Sequence, residues 1–227
     1  MGSIVNFKSN GNEASGYLSV AEGSKVGIIV LQEWWGLVDH IKDVCDRFSD
    51  KGITALAPDL YHGKQIPLSE PDEAGKEMMA LKMDETSKDL NGAIDEVLKV
   101  TGANQIGVTG FCMGGGLALV LACNRPDVVK AVVPFYGLIP WADAKPDYAK
   151  LDATVLGHYA ENDGFASQES VLELENTLKG LGKNVEFTIN PGVDHAFFND
   201  TRPEVYDEAT AKRCFDETVQ FFNDHLK

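Results

Sequence analysis

Four residues spread along the chain carry side chains suited to acyl-transfer chemistry: a thiol at Cys112, carboxylates at Asp163 and Glu33, and an imidazole at His195. Cys112 lies in Gly110-Phe111-Cys112-Met113-Gly114-Gly115. The run Gln105-Ile106-Gly107-Val108-Thr109 before it reads as a buried strand, and Leu117 to Ala122 after it is strongly helical. Strand, sharp turn and helix with G-x-C-x-G at the turn have the shape of a nucleophile elbow. Small residues two before and two after the nucleophile let the backbone turn tightly and hold the side chain out over the sheet edge. The first amides of the new helix lack intrahelical acceptors, so the Met113 N–H is available to an oxyanion, and the helix field favours negative charge on the sulfur. A glycine-rich turn of this kind also suits phosphate binding, and a cysteine among glycines also suits plain packing. The spacing, however, matches neither G-x-G-x-x-G at the strand end nor a Gly-Lys-Ser/Thr phosphate loop.

The order nucleophile, acid, histidine is that of α/β-hydrolases, and the intervals between Cys112, Asp163 and His195 leave room for the intervening strands and helices and little else. In such an arrangement His195 accepts the thiol proton and later delivers it to a leaving alcohol, while Asp163 fixes the ring tautomer. Cys112 attacks an ester carbonyl and forms a thioester that water then hydrolyses. Asp194 and Glu161 compete for the role of Asp163, but a residue adjacent to His195 on an extended loop points elsewhere, which ranks Asp163 first. His158 in a strand, His62 in a loop and His40 near a helix read as core or surface histidines. No His pair at i, i+4 and no Cys/His cluster suggests a metal, and no cofactor is expected.

These residues need a scaffold that brings them to one edge. Residues 3–20 read as an N-terminal hairpin turning at Ser9-Asn10-Gly11-Asn12. Val26 to Leu31 is a continuous apolar run of the kind a central parallel strand needs, followed at once by Gln32-Glu33-Trp34-Trp35-Gly36. A glutamate there is either a ligand-facing group at a strand carboxyl end or a solvated residue beside two core-capping tryptophans. Val38, Ile41, Val44, Cys45 and Phe48 have helical spacing. Further strands are predicted at Ile53–Ala57, Lys130–Gly137, Thr154–Ala160 and Val185–Ile189, with helices over Glu73–Lys82, around Leu90–Leu98, over Ser167–Leu181 and through Phe215, Val219 and Phe222. Pro191 to Phe198 reads as loop, and Met78, Met79 and Met83 as gap fillers or a pliable pocket wall. Alternating strands and helices predict a three-layer α/β fold: a mostly parallel central sheet with helices on both faces. On that sheet Glu33, Cys112, Asp163 and His195 all fall at one end.

At 227 residues the chain suits one α/β domain over 1–227. A net charge of -15 argues against nucleic acid or an anionic membrane surface as partner. The N-terminus lacks a basic segment followed by an apolar one, and the four cysteines show no C-x-x-C spacing, so a cytoplasmic protein with reduced thiols, monomeric by default, is the expectation.

The elbow, Gln32-Glu33-Trp34-Trp35-Gly36, Ala57-Pro58-Asp59-Leu60-Tyr61 and Asp194-His195-Ala196-Phe197 together resemble the dienelactone hydrolase (carboxymethylenebutenolidase) family of α/β-hydrolases over nearly the whole chain. The resemblance implies hydrolysis of a small ester or enol-lactone by a Cys-His-Asp triad at Cys112, His195 and Asp163. It implies that Glu33 contacts the resting thiol and takes its proton when substrate arrives, that the Trp34 and Met113 amides form the oxyanion hole, and that Tyr136 lies near the site. The family's two carboxylate-binding arginines are not reproduced. No arginine occurs between Arg47 and Arg125, and Asn199 stands four residues beyond His195. Arg202 is the nearest candidate for that task, and Trp34, Trp35, Phe165, Phe197 and Phe198 are expected to form an apolar wall suited to a neutral or aromatic ester or lactone. Two other readings remain open from sequence: a thiol redox or peroxide sensor, for which Cys123 lies about three turns down the elbow helix, and a binding protein that kept the fold without the chemistry.

Overall fold

The computed structural model describes residues 1–9 and 11–226; Asn10 of the first predicted turn lies outside them. Eight strands form one sheet: β1 (Ser3–Ser9), β2 (Asn12–Ser19), β3 (Gly27–Leu31), β4 (Thr54–Pro58), β5 (Ile106–Phe111), β6 (Val129–Phe135), β7 (Thr154–Asn162) and β8 (Val185–Asp194). Six helices accompany them: α1 (Asp39–Asp50), α2 (Pro71–Ala80), α3 (Met83–Thr101), α4 (Met113–Asn124), α5 (Gln168–Gly180) and α6 (Glu208–His225). The strand order is β1-β2-β4-β3-β5-β6-β7-β8. The N-terminal hairpin pairs antiparallel and joins β4 antiparallel, and every pairing from β4 to β8 is parallel.

The sequence pattern explains the layers. β3, β4 and β5 are buried along their whole length, as strands covered on both faces must be. Side chains alternate between faces, so Ile29 and Leu31 pack with α3 and α4 while Ile28 and Val30 pack with α1 and α6. α1 turns His40, Ile41, Val44, Cys45 and Phe48 inward, the spacing of one helical stripe. α4 is buried almost throughout, which is why its sequence is apolar all round. Ser167 caps α5 and Asp207 caps α6, each side chain accepting a backbone N–H from the first turn. None of the helices among the described residues is long and apolar enough to cross a membrane.

Several predicted boundaries move, two of them for a visible local reason. β8 runs on through Pro191-Gly192-Val193 to Asp194, because the Glu161 carboxylate accepts the Gly192 N–H and holds the strand against β7 beyond the proline. α2 starts at Pro71, whose fixed φ suits a first helical turn, rather than at Glu73.

Chain order reverses between β3 and β5, the point at which an open parallel sheet leaves a crevice at its strand carboxyl ends. Glu33 follows β3, Cys112 follows β5, Tyr136 follows β6, Asp163 follows β7 and His195 follows β8.

Candidate active site

Cys112 occupies the turn between β5 and α4 with φ 55° and ψ −120°, a left-handed conformation that costs a non-glycine residue about 1–3 kcal/mol. The flanking glycines make the turn possible. A Cβ on Gly110 would overlap the Gly114 carbonyl, and one on Gly114 would lie 2.5 Å from the Leu31 oxygen and 2.6 Å from that of Gln32. The Cys112 N–H donates to the Phe135 carbonyl at 3.1 Å, fastening the elbow to β6. Cys112 is the one cysteine of four that is not buried. Cys45 and Cys123 are packed away with their thiols pushed up by burial, Cys123 to about 11, so the far end of α4 offers no partner for a disulfide with Cys112.

His195 Nδ1 lies 2.7 Å from Asp163 Oδ2. The carboxylate can only accept, so Nδ1 carries the proton and Nε2 is left for the thiol side. The other Asp163 oxygen accepts the amides of Phe165 at 2.7 Å and Ala166 at 2.8 Å. Burial favours the protonated acid at Asp163, but the His195 hydrogen bond and charge and these two amides outweigh it and hold the carboxyl below its usual range. At His195 burial opposes charging the ring. The Asp163 carboxylate and the facing Cys112 sulfur overcome this and raise the imidazole to about 10. Edges of Tyr136 and Phe165, at ring separations of 5.0 and 5.1 Å, fix the plane of the ring. The sequence rivals of Asp163 are placed elsewhere: Glu161 on the Gly192 amide, Asp194 at the end of β8 along the cavity wall.

Glu33 is 1% exposed, which excludes the solvated reading. Its Oε1 accepts the Tyr136 hydroxyl at 3.3 Å and its Oε2 accepts the Asn199 amide at 2.7 Å. Burial, and then the Glu33 charge, push the Tyr136 phenol well up, so it stays a donor. Among the described residues none of the hydrogen bonds Glu33 makes reaches Cys112, with which it lines the larger cavity. Asn199 is fixed in turn, its Oδ1 accepting the Thr201 N–H and hydroxyl. The next residue, Asp200, binds buried His40 at 3.1 Å and the Arg47 guanidinium, a network from α1 that anchors the 196–202 segment. Sequence reading marked Asn199 only as a missing arginine; its role in holding Glu33 lies 166 positions away along the chain and leaves no local pattern.

The Trp34 amide follows β3 and the Met113 amide opens α4, and among the described residues neither meets a protein acceptor. Above them two cavities meet, of ≈ 410 and ≈ 250 Å³, sharing Trp34, Cys112, Phe165 and His195. Phe165, 71% exposed, sets its ring edge to face with Trp34 at 5.8 Å and so forms the divide between them. The larger lobe is bounded by Trp35, Leu68, Val205 and Arg202, whose guanidinium lies 6.0 Å from the Trp35 ring and pairs with Glu204. The smaller is bounded by Met78, Met113, Tyr136, Leu138 and Ile139. Met78 is thus wall rather than gap filler, its carbonyl tied to the Trp141 indole at 2.9 Å, whereas Met79 points to solvent.

Two expectations are corrected. Phe197 is 0% exposed and packs under Tyr136 and Phe135, and Phe198 stacks on Phe111; neither borders a cavity. Ala196 takes φ 68°, and this left-handed step after His195 swings the following residues into the core beneath the site.

The family model for the dienelactone hydrolase family matches residues 14–226. Over its whole length the chain is 36% identical to Protein usf of Aquifex pyrophilus and 34% identical to a candidate carboxymethylenebutenolidase of Aquifex aeolicus, covering the whole of each. Among solved structures it is similar to a candidate dienelactone hydrolase of Klebsiella pneumoniae, with a TM-score of 0.83 and 27% identity, covering 97% of this chain and 99% of that one. The match of fold, of sequence along nearly all of both chains, and of the family model places this chain in the dienelactone hydrolase family of α/β-hydrolases, as a hydrolase of the lactone or ester type.

Proposed function

We propose that the protein hydrolyses a small, neutral ester or lactone through a thioester on Cys112, with His195 as proton carrier and Asp163 as the group that orients and charges it. The observation that carries this reading is a non-buried elbow thiol, a facing imidazole raised to about 10, and a buried carboxylate 2.7 Å from its Nδ1. A ring that basic already holds the proton drawn from the thiol, and the sulfur attacks the carbonyl carbon beside the imidazolium. The Trp34 and Met113 amides receive the developing oxyanion. Collapse of the tetrahedral adduct breaks the C–O bond, and the imidazolium gives its proton to the leaving oxygen. In the second half His195 draws a proton from water, the hydroxide equivalent attacks the thioester, and the thiol is regenerated with the acid released.

Glu33, held by Tyr136 and Asn199, lines the same cavity as Cys112, where its carboxylate is the alternative proton acceptor. The imidazolium must survive to protonate the leaving group, so activity is lost as pH rises through its pKa. The alkaline limb of kcat/KM is expected near pH 10. Asp163→Asn removes the carboxylate that raises the ring and should move that limb down by roughly 1–3 pH units. An unmoved limb in the variant would assign it to another group.

The two lobes meet at the thiol, which suits an ester whose acyl and alcohol arms diverge. Among the described residues the one guanidinium along the wall, Arg202, is already paired with Glu204. Hydrolysis should therefore favour neutral over carboxylated substrates by roughly ten-fold or more. A panel of small aryl esters and five-membered enol lactones, each neutral and carboxylated, tests this through kcat/KM. Preference for the carboxylated members would return Arg202 to the substrate, and inactivity on all of them would defeat the proposal.

A further inference from the structure

On the far side of β7 from Asp163, the sheet and the C-terminal helix bring together three groups the reaction does not use. His158 of β7 and Cys214 of α6 are fully buried, Glu217 stands half-exposed one helical turn on from Cys214, and a ligand atom from each lies within 4.8 Å of the others. The spacing Cys214 to Glu217 is i, i+3, which puts both on one face of α6.

The hydrogen bonding around His158 decides how its ring is used. The Thr218 hydroxyl donates its only proton to the Cys214 carbonyl at 2.7 Å, so toward His158 Nε2, 3.4 Å away, it can only accept. Nε2 therefore carries the ring proton and Nδ1 is left with a bare lone pair. That Nδ1 has no hydrogen-bond partner, although it is buried and faces Glu217 Oε2 at 3.9 Å. A lone pair and a carboxylate facing each other across that gap are electron donors suited to a cation, while the sulfur beside them still carries its proton and donates it to Asn190 Oδ1 at 3.7 Å. Arg213 binds the other carboxylate oxygen of Glu217 at 3.3 Å and the Asn190 side chain at 2.6 Å, so it does not fill the gap.

We propose that His158 Nδ1, Cys214 Sγ and Glu217 Oε2 form a site for a divalent transition-metal ion, Zn²⁺ by its ligand set, which clasps α6 to β7. One imidazole, one thiolate and one carboxylate are the ligand types zinc takes. Tetrahedral bonds of about 2.0–2.3 Å set ligand atoms roughly 3.3–3.8 Å apart, so the cluster tightens on binding, with the solvent-facing Glu217 side chain the one able to change rotamer. Binding transfers the Cys214 thiol proton to solvent, and the exposed side at Glu217 leaves a fourth position for water. Sequence spacing showed no such cluster because its members come from a strand and a helix separated by α5 and β8. The clasp reaches the cleft through one bond, the His158 carbonyl accepting the Tyr136 N–H at 2.7 Å.

The test is a titration of the full-length Cys112→Ala protein, which removes the thiol of the cleft, with Co²⁺ alone. A saturable thiolate-to-cobalt charge-transfer absorption at one equivalent is expected, reversed by Zn²⁺, with Zn²⁺ also raising the Tm. Cys214→Ser should abolish the absorption, and Glu217→Gln, a change at an exposed position, should weaken cobalt binding by roughly ten-fold or more. Absence of the absorption in excess Co²⁺, its survival in Cys214→Ser, or unchanged affinity in Glu217→Gln would each overturn the site. Because the readouts are absorption and Tm, the outcome is independent of whether the cleft hydrolyses esters.

Discussion

Cys112→Ala is expected to lower kcat/KM for every substrate of the protein by roughly 10³–10⁶-fold while leaving it folded. The size follows from the division of labour. Without the sulfur the proposed thioester cannot form, and what remains is the help that the proposed oxyanion-hole amides of Trp34 and Met113 and the binding walls give to direct attack by water. The fold should be indifferent because alanine suffers at φ 55° much as cysteine does, and the thiol contributes little packing from its place in the cleft. Steady-state kinetics on the ester panel, with thermal unfolding as the control, measures both. A folded variant that retains most of its activity would remove Cys112 from the mechanism.

The second large effect comes from a glycine outside the elbow sequence. Gly137, just after β6, faces the elbow so closely that a Cβ there would sit within the Cys112 carbonyl oxygen, 2.7 Å from Gly115 Cα and 2.9 Å from Gly116 N. All three are backbone atoms, so no rotamer change relieves the overlap. Gly137→Ala should cost about 3 kcal/mol or more, a fall in Tm of roughly 6–12 °C for a chain of this size. The molecules that remain folded carry a displaced elbow, and a shift near 1 Å at a reacting atom costs on the order of 10²-fold in rate. Gly180→Ala, at the end of α5, is the matched control: its Cβ meets nothing within 4 Å, and neither Tm nor activity should fall. Equal behaviour of the two variants would mean that close approach to the elbow is not what Gly137 provides.

Much of this arrangement was legible in the chain. Apolar runs long enough for strands buried on both faces, alternating with helical stripes, gave the parallel sheet, and each of Glu33, Cys112, Asp163 and His195 could be placed at a strand end by counting. The elbow was readable because its glycines answer a local steric need. Side-chain direction after His195 was not. The left-handed Ala196 reverses the course of the backbone within one residue, and an alanine gives no warning of that, so Phe197 and Phe198 were assigned to the cavity when they belong to the core. Long-range polar pairing was equally silent. Asn199 with Glu33, Asp200 with His40, and His158 with Cys214 and Glu217 each join distant segments, and such pairs have no period to detect.

The placement of the site on five successive strand ends also bears on how the protein matures. The elbow forms within a short stretch, yet its partners arrive from β3 early in the chain and from β7 and β8 late in it, with His195 contributed only after the eighth strand has paired. Parallel pairings of this kind close long loops and form slowly. A chain still emerging from the ribosome therefore carries an exposed, unassisted thiol, and recovery of activity marks the end of folding rather than its onset.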